Sequence, residues 1–421
     1  MRVRGILALS ARRHARKTST GRFSFLSEAK DLIYEVLYMY AYLDNSATTR
    51  VAPEVIKIME KAFSEDYGNP SSLHKMGFEA EKYVSEAQEI FSKILKCNKK
   101  NIVFTSGGTE SNNTALIGTA LFKESRGKHV ITTEIEHPAV SEPLSFLEKR
   151  GWEIERLTVN SDGLVDPEEL RQKLRPDTVL VSVMHVNNEI GAVEPVEELG
   201  KIIHEKVPEC FFHVDDIQGF GKIKLAVRDS YIDLLSVSSH KIHGPKGVGL
   251  LYMSDRASHI PPMMMGGGQQ NGLRSGTVNV PGIAGFAEAA KLMYANIDDS
   301  YSNINGLRDF FVREALNIPD TVVNGGEKVS PYIVSLSVKG VRSEVLLHAL
   351  EDRKVYVSAG SACSTHKKHG SVTLKAIGLA DKEAEETVRF SFSCHTTEEE
   401  LKYAIDCLND IVPGLRRFKR R

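Results

Sequence analysis

From Pro53 onward the apolar positions follow two spacings in turn. Val55, Ile58, Met59, Ala62 and Phe63 fall at i, i+3, i+4, i+7 and i+8, which predicts a helix with one buried stripe. Ala80, Val84, Ala87, Phe91 and Ile94 repeat that signal on a second helix. Short unbroken apolar runs then predict buried strands at 102–105, 130–132, 179–183, 211–214, 234–238 and 249–252. Helical patterns, such as the one over 196–206, separate several of them, and this alternation predicts an α/β fold with a mainly parallel sheet.

Near residue 290 the texture changes to a long mixed helix followed by strands around 332–338 and 388–393, which predicts a smaller α+β domain. Thr396-Thr-Glu-Glu399 reads as a capping box that starts a helix just after the strand carrying Arg389. The predicted organisation is an extension outside the fold (1–40), a segment beside the active site and the small domain (41–53), a large domain (54–296) and a small C-terminal domain (297–421).

With 421 residues the chain is long enough for more than one core. Lys plus Arg number 54 against 55 for Asp plus Glu, and that balance offers no field to gather nucleic acid or a membrane surface. Cys97, Cys210, Cys363, Cys394 and Cys407 are odd in number and form no CxxC pair. They suggest individual thiols in a reducing compartment, with neither a disulfide framework nor an intrinsic metal site. No stretch reaches the ~20 apolar residues of a membrane helix. Seven basic residues (Arg2, Arg4, Arg12, Arg13, Arg16, Lys17, Arg22) precede the first acidic one, Glu28. That composition resembles an organellar transit peptide; the plainer expectation is an upstream in-frame start before the true one near Met39, and a cytoplasmic protein.

Three features bear on chemistry. The predicted strand 102–105 runs through Ser106-Gly-Gly-Thr-Glu110 into a helix, a turn whose free amides suit a phosphate, with Thr109 as N-cap and ligand. Asp215 follows the strand 211–214, at the sheet edge where ligands collect, and can hold a pyridinium nitrogen protonated. Lys241 follows the strand 234–238, where burial would favour the neutral amine that Schiff-base chemistry requires. Carboxylate, amine and anion cradle together are the three handles for pyridoxal phosphate.

At this point the chain resembles the cysteine desulfurases of the NifS/IscS type, in the class V aminotransferase group of fold-type I enzymes. The resemblance runs from Tyr42 to the C-terminus and rests on stretches such as Tyr42-Leu-Asp-Asn-Ser-Ala-Thr-Thr49, Glu136-His-Pro-Ala139, His185-Val-Asn-Asn-Glu-Ile-Gly191, Ser239-His-Lys-Ile-His-Gly-Pro-Lys-Gly247, Leu273-Arg-Ser-Gly-Thr277 and Ser361-Ala-Cys-Ser364. It implies a seven-stranded, mainly parallel sheet and a homodimer. It also implies that Lys241 forms the Schiff base and moves protons, that His137 stacks on the cofactor ring, and that Asp215 pairs with its nitrogen. Gln218 and Asn188 fall where the family bonds the phenolic oxygen or the substrate carboxylate region. Arg389 falls where it grips that carboxylate, with Asn45 and Ala47 nearby. Gly108, Thr109, Ser238, Ser239, His240 and, from a second subunit, Thr277 would surround the phosphate.

Cys363 decides the reaction. Its neighbours Ser358-Ala-Gly-Ser-Ala-Cys-Ser-Thr365 are small and polar, and His366-Lys-Lys-His-Gly370 adds positive charge, surroundings that favour a thiolate. The resemblance implies attack on the sulfur of bound L-cysteine, leaving a persulfide on Cys363 and L-alanine. Sulfur would pass to an iron–sulfur scaffold or a tRNA-thiolation enzyme, with Cys363 able to join a transient cluster there. Rival readings are a selenocysteine lyase, an aminotransferase of the same fold, and an inactive docking platform. Cys97, Cys210 and Cys407 are expected to pack, as is Cys394, whose alternative is a second thiol near the substrate. Asp216 and Ser239 depart from the small residues usual at their positions.

Overall fold

The computed structural model describes residues 40–359 and 370–418. Residues 42–421 form one compact unit, and of the other unit, Met1–Ala41, the structure describes Tyr40 and Ala41. In chain order the strands are β1 (Ala41–Tyr42), β2 (Ile102–Thr105), β3 (His129–Thr133), β4 (Glu153–Leu157), β5 (Thr178–Met184), β6 (Phe211–Asp215), β7 (Leu234–Ser238), β8 (Gly249–Met253), β9 (Thr321–Asn324), β10 (Ile333–Val338), β11 (Val355–Tyr356), β12 (Ser358–Ala359) and β13 (Thr387–Ser391).

Seven of them form one sheet in the order β2-β8-β7-β6-β5-β3-β4. β3, β4, β5, β6 and β7 run parallel, and β8 runs antiparallel to both its neighbours. The sheet is buried on both faces, because successive side chains of a strand point to opposite sides. Phe104, Ile131, Val181, Phe212, Leu235 and Leu250 meet one layer with Phe91 and Phe286 from the helices Lys75–Ile94 and Val280–Ala295. Their neighbours Val103, Val130, Leu180, Phe211, Leu234 and Leu251 meet the other layer, with Leu116 and Leu144 from the helices Gly108–Lys123 and Pro138–Glu148. That two-sided burial is why these strands read as continuous apolar runs.

A second, four-stranded antiparallel sheet has the order β12-β13-β10-β9 and pairs Ser358 with Arg389. The helix Val196–Lys206 occupies its expected span. β4 has no counterpart in the apolar runs, since it is an edge strand with Glu153, Glu155 and Arg156 among its five residues. Two further expectations need correction. Phe63 is 63% exposed, so the stripe on the helix Pro53–Ser64 narrows to Val55 and Ala62, with Met59 packed against the core. The capping box sits one residue later than expected: Thr397 and Glu400 cap each other's amides, while the Thr396 hydroxyl accepts from the Ser393 amide at 2.9 Å.

Candidate active site

Because β5, β6 and β7 are parallel neighbours, their C-terminal ends deliver side chains to one edge of the sheet. β6 ends in Asp215, which is 4% exposed. Its Oδ2 accepts from Asn112 Nδ2 at 2.7 Å and its Oδ1 from the Ile217 amide at 3.1 Å. Burial pushes the Asp215 pKa up, while the charge of His137, the two hydrogen bonds and Lys241 all draw it back. A carboxylate supported in this way suits a cationic ring nitrogen as its remaining partner.

His137 caps the helix Pro138–Glu148, its Nδ1 accepting from the Ala139 amide at 3.0 Å. An acceptor at Nδ1 places the proton of the neutral ring on Nε2. Burial lowers the His137 pKa, with Asp215 opposing and Lys241 adding to that shift. Asp215, His137 and Lys241 therefore feel one another's charge.

β7 leads into a short 3₁₀ turn, Ser239–Lys241. Lys241 Nζ donates to the carbonyls of Ser46 and Ala47, the second at 2.9 Å, and Gln218 Nε2 donates to the Ser46 carbonyl at 3.0 Å. The Thr49 amide and hydroxyl both donate to the His240 carbonyl, at 2.9 and 3.0 Å, and the His240 ring meets the Thr48 hydroxyl at 3.2 Å. The segment 45–49 thus walls the lysine. Burial, with Lys241, Lys246 and Lys222 nearby, lowers the His240 pKa to about 4, so its ring is neutral near pH 7.

The glycine turn lies beside Ser238, the last residue of β7, and Ile217. Gly107, at φ +149°, is the N-cap of the helix Gly108–Lys123, so Thr109 sits inside the first turn with its side chain exposed and does not cap. A Cβ on Gly108 would stand 2.1 Å from Ile217 Cδ1, and one on Gly107 would stand 4.0 Å from the Ser238 hydroxyl. The absence of side chains at Gly107 and Gly108 leaves the backbone at the start of this helix uncovered by side chains of its own, the kind of site that suits an anion. Ser239, by contrast, turns its hydroxyl toward Gly244 and finds no hydrogen-bond partner there.

Arg389 on β13 is 5% exposed. One terminal nitrogen donates to the Asn188 carbonyl at 2.7 Å and the other to Asp44 Oδ1 at 3.0 Å, while Nε is buried without a partner. Asn45 Nδ2 donates to the carbonyls of Tyr42 and Ser391, both at 3.0 Å. Ser358 donates to the same Asp44 oxygen at 2.8 Å, and Ser371 donates to the carboxylate of Glu189, beside Asn188. Both described ends of the span 360–369 are therefore fastened around Arg389. Cys363 itself lies outside the described residues. Thr277 is exposed.

Asp216 is explained by a buried pair with His185, Oδ1 to Nδ1 at 2.6 Å. Of the other thiols, Cys210 and Cys407 are buried and Cys97 is partly so, each with its pKa raised chiefly by burial. Sequence reasoning missed Asn112 and Asp44. The only trace of Asn112 was its polarity on a buried helix face, and Asp44 stood unweighed inside a motif.

This fold and this edge of the sheet define a class V aminotransferase: residues 41–403 match that family, and the chain belongs to it. Its relatives there are cysteine desulfurases of the NifS/IscS type. It is 43% identical over 377 residues to the cysteine desulfurase IscS of Dictyoglomus turgidum, covering 89% of this chain and 95% of that one. It is 42% identical over 380 residues to the mitochondrial cysteine desulfurase of Saccharomyces cerevisiae, covering 90% and 76%. Among solved structures, a NifS-like protein superposes with a TM-score of 0.85 at 37% identity, over 90% of this chain and all of that one. A structure described as SspA in complex with cysteine superposes at 0.75 and 33% identity, over 85% and 100%.

Proposed function

We propose that this chain is an L-cysteine desulfurase that carries pyridoxal 5′-phosphate on Lys241, moves the sulfur of L-cysteine to Cys363 and releases L-alanine. The observation that carries this reading is the convergence of Asp215, His137 and Lys241 at one sheet edge beside the bare Gly107–Gly108 turn. The residues fit that cofactor: a buried carboxylate for the ring nitrogen, helix-start amides with Ser238 and His240 for the phosphate, and an amine between them. When bound, pyridoxal phosphate supplies an electron sink for the substrate's α-carbon.

The chain does the rest. Asn112 and the Ile217 amide favour the negative form of Asp215 against the effect of burial, and that form would hold a proton on a ring nitrogen opposite it. His137, fixed by its cap to helix and amide, offers a flat face for stacking and an Nε2 proton. Lys241 Nζ takes up and returns protons at the substrate carbon. Arg389, already pinned by Asn188 and Asp44, grips the substrate carboxylate with its unpartnered Nε side and so fixes which bond is broken.

Cys363 is the sulfur acceptor in this reading. It lies five residues beyond Ser358, the strand partner of Arg389. Its thiolate attacks the substrate sulfur, the S–S bond forms as the C–S bond breaks, and protonation of the carbon fragment yields alanine. A homodimer would bring Thr277 to the phosphate, and Phe63, Tyr67, Leu73 and Phe78 are exposed apolar side chains available for such a contact. Sulfur would go on to an iron–sulfur scaffold or a tRNA-thiolation enzyme, in the cytoplasm or, as in the yeast relative, in mitochondria.

The test is turnover of purified protein with L-cysteine and a thiol reductant, in which sulfide and alanine should appear in equal amounts. Turnover that depends on an added keto acid, or that occurs with selenocysteine and not cysteine, would replace this reading with one of its rivals.

A further inference from the structure

Behind Lys241 and beyond Arg389, the chain brings together three side chains that the reaction does not use. His243, Cys394 and His395 hold one ligand atom each within 4.8 Å of one another. Nothing in their spacing announces a site, because His243 comes from the turn after β7 and the other two from the end of β13. The geometry points to a binding site for one soft, closed-shell cation of the copper(I) class, held by His243, Cys394 and His395 with Met293 as the fourth ligand.

Three observations carry this assignment. The first is preorganisation of His243, whose Nδ1 lies 2.9 Å from the Arg50 carbonyl. A carbonyl can only accept, so the ring proton sits on Nδ1 and the lone pair of Nε2 faces inward, the arrangement by which metal-binding histidines are oriented. The Arg50–His243 contact is reinforced by the Ala52 amide, which donates to the His243 carbonyl at 3.0 Å.

The second is spacing. Tetrahedral bonds of about 2.3 Å to sulfur and about 2.0 Å to nitrogen set a sulfur and a nitrogen roughly 3.5 Å apart, and two sulfurs roughly 3.8 Å apart. Cys394 Sγ lies 3.7 Å from His243 Nε2 and 3.8 Å from Met293 Sδ. The third donor, His395, packs edge-on against the His243 ring with centroids 4.7 Å apart and is exposed, so a rotation can bring its nitrogen in.

The third is donor chemistry. A thiolate, a thioether and two imidazoles form a soft set with no oxygen ligand, which favours copper(I). No carboxylate belongs to the group. One thiolate balances a monovalent ion, whereas a divalent ion would leave net positive charge in a partly buried site. On binding, the Cys394 S–H proton leaves to solvent as the S–metal bond forms, and no electron is transferred. The ion would tie the turn behind Lys241 to the end of the strand that carries Arg389.

The experiment uses the full-length, cofactor-loaded protein with Cys97→Ser and Cys363→Ser, which removes two thiols outside the site, titrated anaerobically with copper(I) against a coloured copper(I) chelator. One ion per chain should be retained and should raise the melting temperature. Cys394→Ser and, separately, His395→Ala should each weaken retention by about 100-fold or more. His395 is exposed, so its removal tests the site even if the Cys394 variant folds poorly. Met293→Leu should weaken copper(I) by about tenfold and leave any zinc binding unchanged. Copper(I) retention unaffected by either ligand substitution would overturn the assignment, as would zinc displacing copper(I) at equal concentration.

Discussion

Asn112 donates its side-chain N–H to Asp215 at 2.7 Å, and both residues are buried, at 0% and 4% exposure. The helix that begins at the glycine turn thus also supports the acid at the end of β6. Removing Asn112 leaves Asp215 one hydrogen bond short, so its pKa should rise further above the ordinary carboxylate value and its negative form should be scarcer. Asn112→Ala is expected to weaken retention of pyridoxal phosphate by about tenfold, the cost of one hydrogen bond to a charged group. Dialysis followed by cofactor absorbance measures it, and loss should grow as pH falls.

Lys241 and Cys363 should separate cleanly by assay. Lys241→Ala is expected to lose the visible absorbance of the covalently held cofactor together with all sulfide release. Cys363→Ala should keep that absorbance and lose sulfide release. A Cys363→Ala protein that desulfurates cysteine at the normal rate would remove this thiol from the mechanism.

Asp44 positions Arg389 and accepts from Ser358 with the same oxygen. Asp44→Ala frees the guanidinium to turn, so the KM for L-cysteine should rise roughly tenfold or more while kcat changes less. A lower melting temperature with an unchanged KM would assign Asp44 a purely structural role.

Glu194 tests the buried acids away from the chemistry. It is 2% exposed, its Oε2 accepts from the Val165 amide at 3.1 Å, and its Oε1 has no partner. Burial raises its pKa from 4.5 to about 8. Below pH 4.5 it is protonated in both folded and unfolded chains. Between there and about pH 8 the unfolded chain gives up the proton and the folded chain keeps it, so this group's contribution to stability falls as pH rises across that window. Glu194→Gln keeps the acceptor and removes the titration. Urea unfolding should show the variant more stable than the parent at pH 8.5, by roughly 1 to 4 kcal/mol, and close to it at pH 5.

The sequence by itself determined the large sheet and which polar residues stand at its strand ends. β2 and β7 occupy their expected residues, Asp215 is the last residue of β6, and Lys241 ends the turn after β7. Those signals are local: a strand buried on both faces must be apolar throughout, and the polar residue after it must face whatever lies at the edge. β4 escaped because an edge strand carries no such run, and the cap at Thr397 shifted because two adjacent threonines offer the same local pattern. Tertiary structure alone decided that Asn112 supports Asp215 over a separation of 103 residues, that Asp44 and Asn188 hold Arg389, and that His243 meets Cys394 over 151. Such contacts depend on how helices, loops and the two sheets pack on one another, and a single chain's periodicity carries no record of which distant segments become neighbours.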